Sequence, residues 1–273
     1  MEAQIRRARA FKALHEREGA FVIPNPWDAG SAKMLASLGF EALATTSAGH
    51  AFSLGRPDGA LGLDDTLANV RAIVAATDLP VAVDLENGFA DAPEDCARSL
   101  LRAAEAGAVG GSIEDATGRE DSPIYCFDHA VARVKAAAEA VRSLPYPFLL
   151  TARAENFLHG NPDLDDTIRR LKAFAEAGAD VLYAPGLSSA EQVLAVVQAV
   201  APKPVNVLMS GALDLTVAQL SELGVKRISV GSALALAAYG EFFRAAEEIQ
   251  AQGTFTFTRR SMPFKQANQL FKG

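Results

Sequence analysis

Eight short apolar runs, the amphipathic segments between them, and a glycine at four helix-to-strand junctions predict an α/β fold. The fold class is a single (β/α)8 TIM barrel over residues 1–273. The runs lie at 20–24, 42–46, 80–84, 109–113, 148–152, 180–184, 204–208 and 227–230. Each is rich in Val, Ile, Leu or Phe and apolar on both faces, as a parallel strand covered by helices must be. Segments 93–105, 165–176 and 187–200 instead repeat apolar residues at i, i+3, i+4 and i+7, the helical period, with Asp28, Asp91 and Ser188 placed as N-caps. Gly39, Gly107, Gly178 and Gly224 each separate a helical stretch from a strand, where a left-handed residue ends a helix. Eight strands joined by right-handed crossovers close most simply into a barrel. The other arrangement, an open doubly wound sheet, lacks a GxGxxG after the first strand. Beyond a helix at about 233–250, a polar link at 251–258 leads to a further helix at 261–271. This extension, 251–273, either caps the barrel or reaches to a partner subunit.

The composition bounds the function. With 49% hydrophobic and 22% charged residues the chain is an ordinary globular protein, not a disordered one. A formal charge of −7 and no Lys/Arg block argue against nucleic acid as a partner. Anionic substrates stay open, because a local Arg or metal can outweigh the global charge. Cys96 and Cys126 form no framework pattern, which favours a reducing cytoplasm; Cys96 reads as core and Cys126 as packed at a loop exit. Residues 1–20 carry no apolar signal region, and the most apolar run, 228–239, is too short to span a bilayer, so no membrane partner is expected.

Active sites of such barrels form at the C-terminal ends of the strands. Those ends read Thr45-Thr46-Ser47-Ala48-Gly49-His50, Asp84-Leu85-Glu86-Asn87-Gly88, Glu114-Asp115 and Arg153-Ala154-Glu155-Asn156, with Asn206 on the seventh strand. Asp84, Glu86, Glu114 and Asp115 are expected to converge at one mouth beside Arg153. One acidic residue at a strand end is often a helix cap, but four on adjacent strands need a cation or shared protons. Oxygen-only ligands fit Mg2+ or Mn2+ better than Zn2+. Arg153 would then bind a substrate carboxylate bidentately. Ser47-Ala48-Gly49 is either a simple turn or a nest of N–H groups for an anion, and His50 is either packed or catalytic.

These residues, with Asn25-Pro26-Trp27-Asp28-Ala29-Gly30-Ser31-Ala32, Leu54-Gly55-Arg56-Pro57-Asp58, Val83-Asp84-Leu85-Glu86-Asn87-Gly88-Phe89, Ser112-Ile113-Glu114-Asp115 and Thr151-Ala152-Arg153, resemble the isocitrate lyase / phosphoenolpyruvate mutase superfamily over most of the chain. The resemblance implies a barrel whose last helix is swapped with a neighbour, giving a homo-oligomer: a dimer or a dimer of dimers. It implies Mg2+-dependent chemistry on 2-oxo acids through an enolate, at a C–C or a P–C bond. By the same resemblance Asp84 ligates the metal and contacts substrate, Glu86 stands at a second metal position, and Glu114 holds metal-bound water. Ser47, Ala48 and Gly49 match the segment that binds the substrate carboxylate and oxo group. Asp58 matches an aspartate near the metal waters, and Arg153 and Asn206 match substrate contacts. Glu114, Arg153 and Asp58 are the expected catalytic set.

The chain also departs from that pattern. Lyases of the superfamily carry a Lys-Lys/Arg-Cys-Gly-His loop after the fourth strand. Here the segment is Ala116-Thr117-Gly118-Arg119-Glu120-Asp121-Ser122-Pro123, and Cys126 comes too late to replace the missing Cys. Tyr183-Ala184-Pro185-Gly186 stands where a lyase Glu belongs, and the mutase's gating Lys and Asn are missing. These departures argue against isocitrate or methylisocitrate cleavage and against phosphonopyruvate formation. The expectation is a cytoplasmic lyase-type enzyme for a small 2-oxo (di)carboxylate, by decarboxylation or C–C cleavage, with His50 or Tyr183 as candidate acid/base. The alternatives are P–C chemistry on phosphoenolpyruvate or phosphonopyruvate, and a non-catalytic 2-oxo acid binding protein.

Overall fold

A computed structural model describes residues 1–211 and 213–272. All eight expected strands form: β1 (Phe21–Ile23), β2 (Leu43–Ala44), β3 (Val81–Asp84), β4 (Gly110–Glu114), β5 (Leu149–Arg153), β6 (Val181–Tyr183), β7 (Val205–Leu208) and β8 (Arg227–Ser229). They are parallel, in the order β1-β8-β7-β6-β5-β4-β3-β2. The β1–β2 seam is bridged by the Ala44 N–H donating to the Pro24 carbonyl at 3.1 Å and the Asn25 side-chain amide donating to the Thr45 carbonyl at 3.1 Å. The architecture is therefore a nearly closed (β/α)8 barrel.

The helices are α1 (Glu2–Glu16), α2 (Ala29–Ser37), α3 (Ser47–Ser53), α4 (Leu63–Ala76), α5 (Pro93–Glu105), α6 (Phe127–Arg142), α7 (Leu164–Ala177), α8 (Ala190–Val200), α9 (Val217–Glu222), α10 (Ala233–Gln252) and α11 (Phe264–Phe271). Asp28 caps α2 as expected, in a reciprocal box with Ser31. Two caps differ from expectation. Pro93 fixes the first turn of α5, so Ala92 becomes its N-cap, while Asp91 pairs with Arg119 and Tyr125 instead. Ser189, not Ser188, caps α8. The last helix starts at Phe264 rather than 261, because Pro263 cannot continue a helix through its own position. Cys126 is exposed at the start of α6 and not packed, whereas Cys96 is buried in the core; both are free thiols.

The two barrel ends are built differently. Helix α1 closes the N-terminal end: Phe11 is fully buried against Gly110, where an added Cβ would sit 2.7 Å from the Phe11 ring. The His15 ring stands edge-on to Phe11 and Phe21, with centroids 4.8 and 4.9 Å away. The other end holds the polar residues described next. Helix α11 packs on α2 of its own chain, near Gly30.

Candidate active site

Strand ends place the first carboxylates. Glu114 and Arg153 are register partners on β4 and β5, and Asp84 ends β3 one strand further on. The Arg153 guanidinium is only 14% exposed and its three nitrogens are all engaged: Nη1 with Asp84 Oδ1 at 2.9 Å, Nη2 with Glu114 Oε2 at 3.0 Å and Nε with Glu155 Oε1 at 2.7 Å. It also stands 5.2 Å from the centre of the Tyr183 ring.

Glu86 follows β3 on a strained turn. Its φ is +49°, unusual for a side chain with a Cβ, and Phe89 at +57° shares the feature. The turn is over-determined: the Glu86 N–H donates to Asp84 Oδ1 at 3.3 Å, and the Glu86 carbonyl accepts from the Glu114 N–H at 2.9 Å. Buried Arg133 braces it from α6 by donating to the carbonyls of Asn87, Ala90 and Asp91. Asp58, on an exposed turn, accepts the Gly59 N–H at 3.1 Å, and Gly59 lies against Glu86.

Five carboxylates (Asp58, Asp84, Glu86, Glu114 and Glu155) thus surround one guanidinium, and the imbalance shows in the proton affinities of Glu86, Glu114 and Asp58. Burial, then Asp84 and Asp58, push Glu86 up to about 7. Burial also holds Glu114 well above the usual carboxylate range, opposed by Arg153 and reinforced by Glu155, Asp84 and Glu86. Partial burial, with Asp84, raises Asp58 as well.

Asp115 does not join this cluster, contrary to expectation. Successive strand residues face opposite ways, so beside an inward Glu114 it points outward. There it pairs with Arg170 at 3.0 Å and accepts the Glu155 N–H at 2.8 Å, and burial raises it to about 6. Its place in the cluster is taken by Glu155, whose i, i+2 spacing from Arg153 was the available sequence signal.

The cluster borders a cavity of about 240 Å3. Ser47, Ala48, Asp58 and Leu158 stand near its rim; Thr151, Asn206, Arg227 and Ser229 line it more deeply. Asn206 is fixed on both sides, accepting from Arg227 Nε at 2.8 Å and donating to Ser229 Oγ at 2.9 Å. Tyr183 also lines the cavity, and burial pushes its phenol up to about 12. Glu86, Glu114, Gly49 and His50 do not line it. The Gly49 N–H donates to Thr46 Oγ1 at 3.2 Å, and a Cβ there would come within 2.7 Å of Thr46. Both ring nitrogens of His50 are buried without a hydrogen-bond partner. The 116–123 segment folds back on itself, with an Ala116–Ile124 bridge and Arg119 held by Asp91, and sends no side chain to the cavity.

Fold and cluster together define a barrel enzyme site with an anionic mouth over a small polar cavity. The family model described as phosphoenolpyruvate phosphomutase matches residues 11–250. The chain belongs to this PEP mutase family, within the isocitrate lyase/PEP mutase superfamily of lyase-type enzymes. A crystal structure from Burkholderia cenocepacia J2315, provisionally assigned as a lyase or mutase, superposes with a TM-score of 0.98 at 58% identity, covering 100% of this chain and 98% of that one. Oxaloacetate decarboxylase from Paraburkholderia xenovorans is 31% identical over 82% of this chain and 75% of its own length. 2-Methylisocitrate lyase from Escherichia coli is 33% identical over 64% of this chain and 60% of its own length.

Proposed function

We propose that the chain is a Mg2+- or Mn2+-dependent lyase that breaks a bond to C3 of a small 2-oxo (di)carboxylate, by decarboxylation or C–C cleavage, through an enolate. The observation that carries this reading is the surplus of carboxylates around Arg153 at the cavity mouth. An oxygen-only donor set with uncompensated negative charge suits a hard divalent cation. Mg2+ needs only one or two carboxylates, with water filling its other positions. Among the described residues no three Asp, Glu, His or Cys side chains form a preformed cage, so the reading rests on the charge surplus.

Asp84 would hold the ion, with Glu86, Glu114 and Asp58 holding its waters. When bound, the ion withdraws electron density from the 2-oxo group as the bond to C3 breaks. With a cation bound, Asp84 and Glu114 would leave Arg153 Nη1 and Nη2 to the substrate carboxylate, and Glu155 would keep the guanidinium plane fixed. Ser47 and Ala48 border the oxo end, Asn206 contacts substrate deeper in the cavity, and Gly49 permits the close packing of that turn. Tyr183, protonated far beyond neutral pH, is the acid placed to return a proton to the carbon product. Decarboxylation needs no acid from the 116–123 segment, and the oxaloacetate decarboxylase relative supports this branch.

Proton and phosphorus NMR with Mg2+ over oxaloacetate, substituted malates, 2-methylisocitrate, isocitrate, phosphoenolpyruvate and phosphonopyruvate tests the reading. Pyruvate or glyoxylate should appear above the Mg2+ blank and fall with Glu114→Gln. A change confined to the phosphorus spectrum, or a silent panel, would overturn it.

We further propose that α10 and the 251–273 extension present their exposed apolar face to a neighbouring copy, with α11 keeping its packing on α2 of its own chain. Phe242 at 72% and Phe264 at 82% exposure leave an apolar face on α10 and α11 that a monomer would not keep in water. Light scattering should report a dimer or a dimer of dimers; a monomer refutes the docking.

A further inference from the structure

The cavity holds a second cation whose charge nothing above employs. Arg227 is 6% exposed at the start of β8, and its guanidinium borders the same cavity as Arg153. Burying a guanidinium without a counter-charge costs several kcal/mol, so buried arginines usually meet carboxylates. Arg227 meets none among the described residues. Its partners are neutral: Nε donates to Asn206 Oδ1 at 2.8 Å and Nη2 to Thr151 Oγ1 at 3.0 Å. Burial lowers its pKa only to about 10, so it stays charged at neutral pH.

Depth separates the two cations. Thr151 and Arg153 are two residues apart on β5 and face the same way, so their Cα atoms lie about 7 Å apart along the strand. Arg227 sits beside Thr151, one interior layer below the carboxylate cluster that occupies Arg153. One positive charge flanked by neutral hydroxyl and amide groups matches a monoanionic carboxylate better than a dianionic phosphonate.

We infer that Arg227 receives the second carboxylate of the substrate, so the site selects short 2-oxo dicarboxylates over 2-oxo monocarboxylates. This rests on the proposed 2-oxo acid chemistry, with the 2-oxo end at the mouth and the distal carboxylate below. Arg227 thereby acts in specificity, not in bond breaking.

Calorimetric binding to the Mg2+-loaded protein tests it without turnover, using 3,3-difluoro-oxaloacetate, its 4-amide, pyruvate and oxalate. The wild type should bind the dicarboxylate about 10- to 100-fold more tightly than the amide, the scale of one charge-assisted hydrogen-bonded pair. Arg227→Gln should abolish that preference, weakening the dicarboxylate far more than pyruvate or oxalate, and Arg227→Lys should restore part of it. The wild-type comparison stands even where a variant fails to fold. Equal binding of dicarboxylate and amide, parallel loss of all four ligands in a folded Arg227→Gln, or no dicarboxylate binding would each overturn the assignment. If dicarboxylates bind through Arg227 but no bond is cleaved, the proposed reaction fails and this inference stands. If turnover occurs and Arg227→Gln keeps the preference, the reverse holds.

Discussion

The two ends of the barrel spend their buried volume in opposite ways. At the N-terminal end, α1 lays Phe11 and His15 on Gly110 and Phe21, and Gln4 satisfies the Ala104 and Ala108 carbonyls. Apolar contact dominates there, and the one titratable ring in the packing is held neutral. At the C-terminal end the same strands terminate in Asp84, Glu114 and Arg153, and burial raises two glutamates out of their ordinary range. One end concentrates stability; the other gives some up to concentrate charge. Substitutions at the first should alter folding with chemistry spared, and substitutions at the second should do the reverse.

The largest effect is expected at the closed end. Phe11→Ala removes a fully buried ring and should cost about 3–5 kcal/mol in denaturant unfolding, with turnover per folded molecule unchanged. A matching loss of turnover would mean that the two ends are coupled. Next comes Glu114→Gln, which keeps the shape and removes a buried charge. It should lower Mg2+ affinity or turnover about 10- to 100-fold, as loss of a group supporting a metal site does. Its unfolding midpoint should not fall, because the wild-type carboxylate is already penalised by burial. A destabilised Glu114→Gln would show that the pairing with Arg153 outweighs the desolvation.

Most of this contrast is legible in the sequence, and the exceptions have physical causes. The strands stand out because a parallel strand buried on both faces must be apolar throughout. Gly39, Gly107, Gly178 and Gly224 stand out because the chain does turn left-handed at each, with φ from +84° to +112°. The mouth is legible in Asp84, Glu86, Glu114 and Arg153 as residue types at strand ends, and in Asp58 only through the family resemblance. What escaped depends on direction and depth. Asp115 was grouped with its neighbour although strand alternation sends it to Arg170. Arg227 was visible as a charge in an apolar run, but only the stagger of the closed barrel puts it beneath Arg153. Caps at Asp91 and Ser188 missed by one residue, because proline and the local backbone, not the nearest polar side chain, choose where a helix begins.

The smallest effect sharpens the contrast through pH. Burial, with Arg227 and Lys226 adding to it, lowers His15 from 6.5 to about 3, so between those values the unfolded chain binds the extra proton and stability rises with pH. Glu86 goes the other way: raised from 4.5 to about 7, it keeps a proton in the folded state that the unfolded chain has lost, and stability falls as pH rises through that window. The two slopes oppose each other from about 4.5 to 6.5. Without Mg2+, the joint contribution of these two groups should climb from pH 3 to 4.5, flatten, and decline from 6.5 to just above 7, by at most about 1.4 kcal/mol per pH unit for each group. Asp115, raised to about 6, and Glu114, raised by burial, add declines of their own. Thermal unfolding of Glu86→Gln should lack the part of the decline that runs up to about 7 and keep the climb; His15→Leu should lack the climb and keep the decline. Mg2+ should erase the Glu86 part of the decline in the wild type, because a bound cation replaces the proton at the mouth and has no counterpart at the closed end. A decline that Glu86→Gln leaves wholly unchanged would assign it to other groups and remove Glu86 from the charge crowding at the mouth.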